Sequence, residues 1–79
     1  MAEESQEELE KLGKRIKQLR KFRNLTQVDL EILSGINNGD ISRIEHGKNI
    51  ALTSLFKLAY ALKIKTKEFF DYDGPLPVD

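Results

Sequence analysis

Before Gly74 the chain has no proline, and its apolar residues recur three and four positions apart rather than at alternate positions. That spacing lines apolar side chains along one face of a helix and suits no half-buried strand. Small polar residues and glycines then cut the pattern into short lengths. Leu9, Leu12, Ile16 and Leu19 mark a first helix over about residues 7–23, closed by Asn24, which tolerates left-handed backbone. Thr26 is a good N-cap for a second helix at about 27–34, with Val28, Leu30 and Leu33 as its apolar positions and Gly35 as its stop. Ile36 sits in the turn. Asn37 caps a third helix at about 38–46, whose inward residues are Ile41 and Ile44 and whose end is Gly47. Leu52, Leu55, Leu58, Ala59 and Leu62 give a fourth helical face, and Thr66 opens a short fifth helix ending in Phe69 and Phe70.

A chain of 79 residues is one domain with a small core. It has no cysteine and a single histidine, His46. That removes disulfides, thiolate zinc sites and most acid–base catalytic sets. No nucleophile–base set or phosphate loop is present, so neither an enzyme nor a bound cofactor, metal or small-molecule effector is expected. No apolar stretch approaches the length of a membrane span, and the acidic start is no signal peptide, so the expectation is a soluble, cytoplasmic protein.

The formal net charge is zero, with 13 bases and 13 acids, but the charges are segregated. Glu3, Glu4, Glu7, Glu8 and Glu10 give the first ten residues −5, and Glu68, Asp71, Asp73 and Asp79 give the last twelve −4. Between Lys11 and Lys67 all 13 bases meet four acids, a net +9. A basic body between acidic ends suits a polyanionic partner. The expected organisation is an acidic flexible tail at 1–8, a folded domain at 9–72 and an acidic tail at 73–79. The acidic ends would either screen the basic body from loose association or compete for its groove.

Two short helices joined by a glycine turn, the second opening with small polar residues, describe a helix-turn-helix. Gly35 is ninth counting from Gln27, where the turn requires positive φ, and Ile36, Ile41 and Ile44 follow at the spacing needed to pack the third helix across the second. The run LGKRIKQLRKFRNLTQVDLEILSGINNGDISRIEHGK, followed by LTSLFKLAYALKIKTKEFF, resembles the XRE family, the phage Cro and repressor type of helix-turn-helix protein. The resemblance spans about residues 12–70. It rests most on Thr26-Gln27, Ser34-Gly35-Ile36, and Ile41 through Glu45 followed by Gly47-Lys48.

The resemblance implies an all-α, five-helix, lambda-repressor-like domain. It would bind double-stranded DNA as a homodimer and regulate transcription, with the third helix in the major groove. Carried over by position, Asn37, Asn38, Gly39, Ser42 and Arg43 would face base edges. Gln27 would hold a phosphate and brace Asn38. Lys48, Asn49 and nearby backbone amides would meet further phosphates, and Arg20 and Glu45 would form an internal salt bridge. The chemistry of the residues agrees. An asparagine amide suits adenine and an arginine suits guanine. Lys14, Arg15, Lys17, Lys21 and Arg23 on the first helix could add sequence-independent attraction to the backbone. Phe56, Tyr60, Phe69 and Phe70 exceed what so small a core needs, and some of them are expected in a dimer interface.

Three positions depart from the family pattern. Gly39 lies inside the recognition helix at a cost of about 1 kcal/mol relative to alanine. Asp40 brings a negative charge to the DNA face, either favouring the helix N-terminus or selecting against some base or phosphate geometry. Glu31 stands where the family usually has alanine, and its long charged side chain must either snorkel out to solvent or find a base. Gly39-Asp40 and the acidic ends sustain a second reading, an antitoxin-like protein-interaction module whose DNA contacts are secondary.

Overall fold

The computed structural model describes residues 2–78, with side chains from Glu4 onward. Four α-helices follow one another: α1 (Ala2–Phe22), α2 (Gln27–Ser34), α3 (Asn38–Glu45) and α4 (Leu52–Leu62). The expected fifth helix, Thr66–Phe70, is a 3₁₀ segment. Among the described residues there is no strand, and no helix is long and apolar enough to cross a membrane.

The turns form where the local chemistry asks for them. Asn24 takes φ 59° after α1, and Gly35 takes φ 77° after α2. Thr26 caps α2 reciprocally: its hydroxyl accepts from the Asp29 amide at 3.0 Å, and the Asp29 carboxylate accepts from the Thr26 amide at 2.9 Å. The Thr26 amide's bond to the carboxylate, foremost, and the Thr26 hydroxyl beside it hold Asp29 below its ordinary pKa of 3.8. Gly47, at φ 92°, turns the chain out of α3.

Leu12, Ile16 and Leu19 from α1, Leu30 from α2, Ile41 and Ile44 from α3, four residues of α4 and Phe69 make one continuous core. Of the three apolar positions expected for α2, only Leu30 is buried; Val28 and Leu33 are about half exposed. A two-turn helix wedged between α3 and α4 can turn only one narrow stripe inward. Leu52 likewise begins α4 outside the core. Phe69, expected among interface residues, is fully buried in the core, whereas Phe70 is half exposed.

α1 packs along α3, and Gly13 lets the two backbones meet. A Cβ on Gly13 would lie 2.5 Å from the Ile44 carbonyl oxygen and 2.8 Å from that of Glu45. The start of α1 differs from the sequence expectation. The helix runs from Ala2, so residues 2–8 are helical rather than a flexible tail. Carboxylates favour a helix N-terminus, and side chains tie these turns to the body. The Gln6 amide donates to the Gly47 carbonyl at 3.3 Å, and the Tyr72 hydroxyl donates to Glu8 at 3.0 Å.

The C-terminal segment is also held. Arg15 is 2% exposed and donates to the carbonyls of Glu68 (2.8 Å), Gly74 (3.3 Å) and Pro75 (3.1 Å), and to the Gln18 side chain (2.8 Å). Leu76 packs on the core. Residues 74–76 of the expected acidic tail therefore rest against α1; Met1 and Asp79, which also fall in the expected tails, lie outside the described residues.

Candidate nucleic-acid interface

The connection between α2 and α3 places the first turn of α3 at the surface. Asn37 is the N-cap: its side-chain oxygen accepts from the Gly39 amide at 2.7 Å. A base-reading candidate thus uses its acceptor within the turn. The same bond accounts for Gly39. A Cβ there would stand 2.9 Å from the capping oxygen of Asn37, so the glycine that weakens the helix interior keeps its cap.

Asn38 and Arg43, the two side chains best suited to bases, each face a carboxylate. Asn38 donates from Nδ2 to Glu31 Oε1 at 2.6 Å. Glu31, the residue in place of the family's alanine, neither reaches out to solvent nor finds a base: its partner is the neutral amide of Asn38 across the turn. Arg43 pairs with Asp40 one turn earlier, and both side chains remain more than half exposed. An exposed pair of this kind contributes little to stability. It does hold the guanidinium at the surface of α3. Ser42 is half-buried, and its carbonyl accepts from Nδ1 of His46 at 2.7 Å, which keeps the histidine on its own helix.

Gln27 does not brace Asn38. Its amide donates to Glu45 Oε1 at 3.2 Å. Glu45 is also gripped by Arg20, whose Nε donates at 2.7 Å and Nη2 at 3.0 Å. The expected Arg20–Glu45 pair is thus a two-pronged, buried ion pair. The third nitrogen of Arg20 donates to the Leu25 carbonyl at 2.8 Å, fixing the turn before α2. With each of its three nitrogens donating and Glu45 almost wholly buried, the network sets the angle at which α3 leaves α1 and α2.

After α3 the chain passes Lys48 and Asn49, both exposed. Asn49 turns its side-chain oxygen to the Ile50 amide at 2.9 Å. A shallow groove of about 210 Å³ lies between α3 and the start of α4, edged by Asp40, Arg43, Lys48 and Ser54. The N-cap of α4, Ala51, offers no side-chain acceptor. The first amides of α4 are therefore open to an anion beside Lys48 and the Arg43–Asp40 pair, a chemistry suited to a phosphate oxygen.

Of the α1 bases expected to attract a polyanion, Lys14, Lys17 and Lys21 are exposed. Arg15 is buried in its clamp, and Arg23 donates to the carbonyls of Leu62 (2.8 Å) and Lys63 (3.1 Å) with its guanidinium 5.1 Å from the Phe22 ring. Arg15 on α1 and Arg23 just past its end tie this part of the chain to its C-terminal half. Their positions carried a signal: Arg15 lies between Leu12 and Leu19 on the apolar stripe.

Residues 13–73 match the family model of the helix-turn-helix domain. The chain belongs to this helix-turn-helix family. Two solved structures place the family likeness more closely. The restriction-modification controller protein C.AhdI from Aeromonas hydrophila is 38% identical, aligning with 78% of this chain and 96% of its own at a TM-score of 0.77. An HTH_3 family transcriptional regulator from Vibrio cholerae is 25% identical with a TM-score of 0.81, over 87% of this helix-turn-helix chain and 40% of the regulator. None of the curated proteins matches.

Proposed function

We propose that this helix-turn-helix protein is a sequence-specific, double-stranded DNA-binding regulator of transcription, acting as a homodimer on a two-fold operator. The observation that carries the reading is the surface made by α3 and the start of α4. Asn38 and Arg43 are presented on one helix, with Lys48 and the uncapped amides of α4 beside them. Base-edge donors and acceptors next to phosphate-binding groups are what major-groove recognition requires. Asn37, Gly39 and Ser42 would then contribute through backbone position and shape as much as through side-chain contacts. Gln27 and Asn49 would lie at the phosphate margin.

The 38% identity to a restriction-modification controller protein supports a regulatory role. Phe56, Tyr60 and Phe70 stay half exposed or more, and an isologous contact through them would pair two copies of α3 about 34 Å apart, one helical turn of DNA. Selection of bound sites from random duplex DNA tests the reading. The expected product is an inverted repeat. A salt series on random duplex should give a steep log–log slope that shrinks when Lys48 is replaced. Arg43→Ala should lose roughly 1–3 kcal/mol on the selected site and relax one base preference. No binding at low salt would refute the reading and leave a protein-interaction module, which the carboxylates on Asn38 and Arg43 favour.

A further inference from the structure

We propose that Glu31 is a positioning residue for base recognition: it fixes which way the Asn38 amide points and thereby which base pair Asn38 accepts. The proposal rests on the DNA reading above. Its starting point is the 2.6 Å hydrogen bond from Asn38 Nδ2 to Glu31 Oε1, between residues on opposite sides of the α2–α3 turn. Both residues are half-buried, so the bond is partly shielded from water.

A carboxylate only accepts hydrogen bonds. The nitrogen of Asn38, never its oxygen, must therefore face Glu31. A free asparagine can turn its amide over and exchange donor for acceptor. Held by Glu31, Asn38 keeps its carbonyl oxygen and one remaining N–H for a ligand. In the major groove adenine shows an acceptor, N7, beside a donor, N6. That edge takes an oxygen and an N–H side by side. Guanine shows two acceptors and cytosine a single donor. The restrained amide favours adenine and loses the freedom to accommodate the others.

No neighbouring side chain in the described contacts substitutes for Glu31. Gln27 is committed to Glu45, Asn37 caps α3 and Asp40 pairs with Arg43. Glu31 also sets a negative charge close to the proposed phosphate path. Its removal should therefore separate two quantities that usually move together. Attraction to any DNA should rise, and discrimination at one base pair should fall.

The test compares the wild-type chain, Glu31→Ala and Glu31→Gln on the selected operator and on a set with each base pair changed in turn. For Glu31→Ala the expected result is about a two- to tenfold loss of preference at one base pair per half-site, the range that pre-ordering one polar side chain is worth. Preference elsewhere should hold, and binding to random duplex should tighten. Glu31→Gln keeps an acceptor oxygen and should recover part of the lost preference. In the free protein, the side-chain amide protons of Asn38 should move upfield by NMR in Glu31→Ala and less so in Glu31→Gln. A purely structural role would lower affinity at every position alike and leave the pattern of preference intact. Glu31→Ala with full preference at every base pair overturns the proposal while leaving DNA recognition standing. A wild-type chain that selects no site overturns both.

Discussion

Replacing Arg20 with methionine should destabilise the domain far more than replacing Arg20 and Glu45 together. In the folded chain the Glu45 carboxylate is 1% exposed and accepts from Arg20 at 2.7 and 3.0 Å and from Gln27 at 3.2 Å. Arg20→Met removes two of these three bonds and also the donor to Leu25. It leaves a buried anion with one neutral partner, a cost of roughly 3–5 kcal/mol. A domain of this size has about 4–12 kcal/mol in all, so the single variant should lose a large share of its stability and melt about 15 °C or more lower. Adding Glu45→Met removes the stranded charge and fills the space with a flexible apolar side chain. Urea midpoints for the four members of the cycle, compared at equal slope, give the coupling. About 2 kcal/mol or more of non-additivity is expected, within the range for groups sharing a network. Two costs that simply add to within about 0.5 kcal/mol would mean that the pair is effectively solvated, and the argument for α3 orientation would fail.

Gly13→Ala should lower stability by about 1–3 kcal/mol despite its better helix propensity, because the new methyl meets the backbone of α3; calorimetry on the variant checks it, and a gain in melting temperature would refute the close approach. Thr26→Ala should cost about 1 kcal/mol through loss of the α2 cap. The Asp29 half of that cap has a depressed pKa, so its contribution is present above pH 3.8 and lost as pH falls through the lower folded value. An acid titration of stability should accordingly show wild type and Asp29→Asn converging at the lowest pH. Arg15→Met should free residues 74–76 from α1, read as faster amide exchange or proteolysis there, with the helix-turn-helix still folded.

Much of this architecture is written in local signals. Asn24, Thr26 and Gly35 sit where the turns need them, and the Arg20–Glu45 pair follows from the family likeness. What the residues concealed depended on the third dimension. Arg15 sits among lysines and looks like one more surface cation, although it lies on the stripe with Leu12 and Leu19. Which of Phe69 and Phe70 turns inward depends on the 3₁₀ geometry, which the helical spacing does not specify. Val28 and Leu33 are as apolar as Leu30, and only the crossing of α2 with α3 and α4 chooses among them. At the site, the sequence does not say which polar group Gln27 meets. The doubly held Glu45 took it, and Asn38 went to Glu31. Glu31, a departure from the motif at a helix crossing, holds Asn38, the side chain proposed to read a base.

The helical form of the acidic N-terminal residues changes how the whole molecule meets a charged rod. A limp acidic tail can fold back on a basic groove and occupy it. The 21 residues of α1 instead make a stiff spine about 31 Å long, with Glu4, Glu7, Glu8 and Glu10 toward one end and Lys11, Lys14, Lys17 and Lys21 toward the other. Such a fixed separation of charge is a permanent dipole with a direction in the body. In the field around a polyanion it experiences a torque that swings the lysine end forward before any contact forms. The benefit is kinetic: fewer misoriented encounters and a salt-sensitive association rate, with little change in how long the final complex lasts.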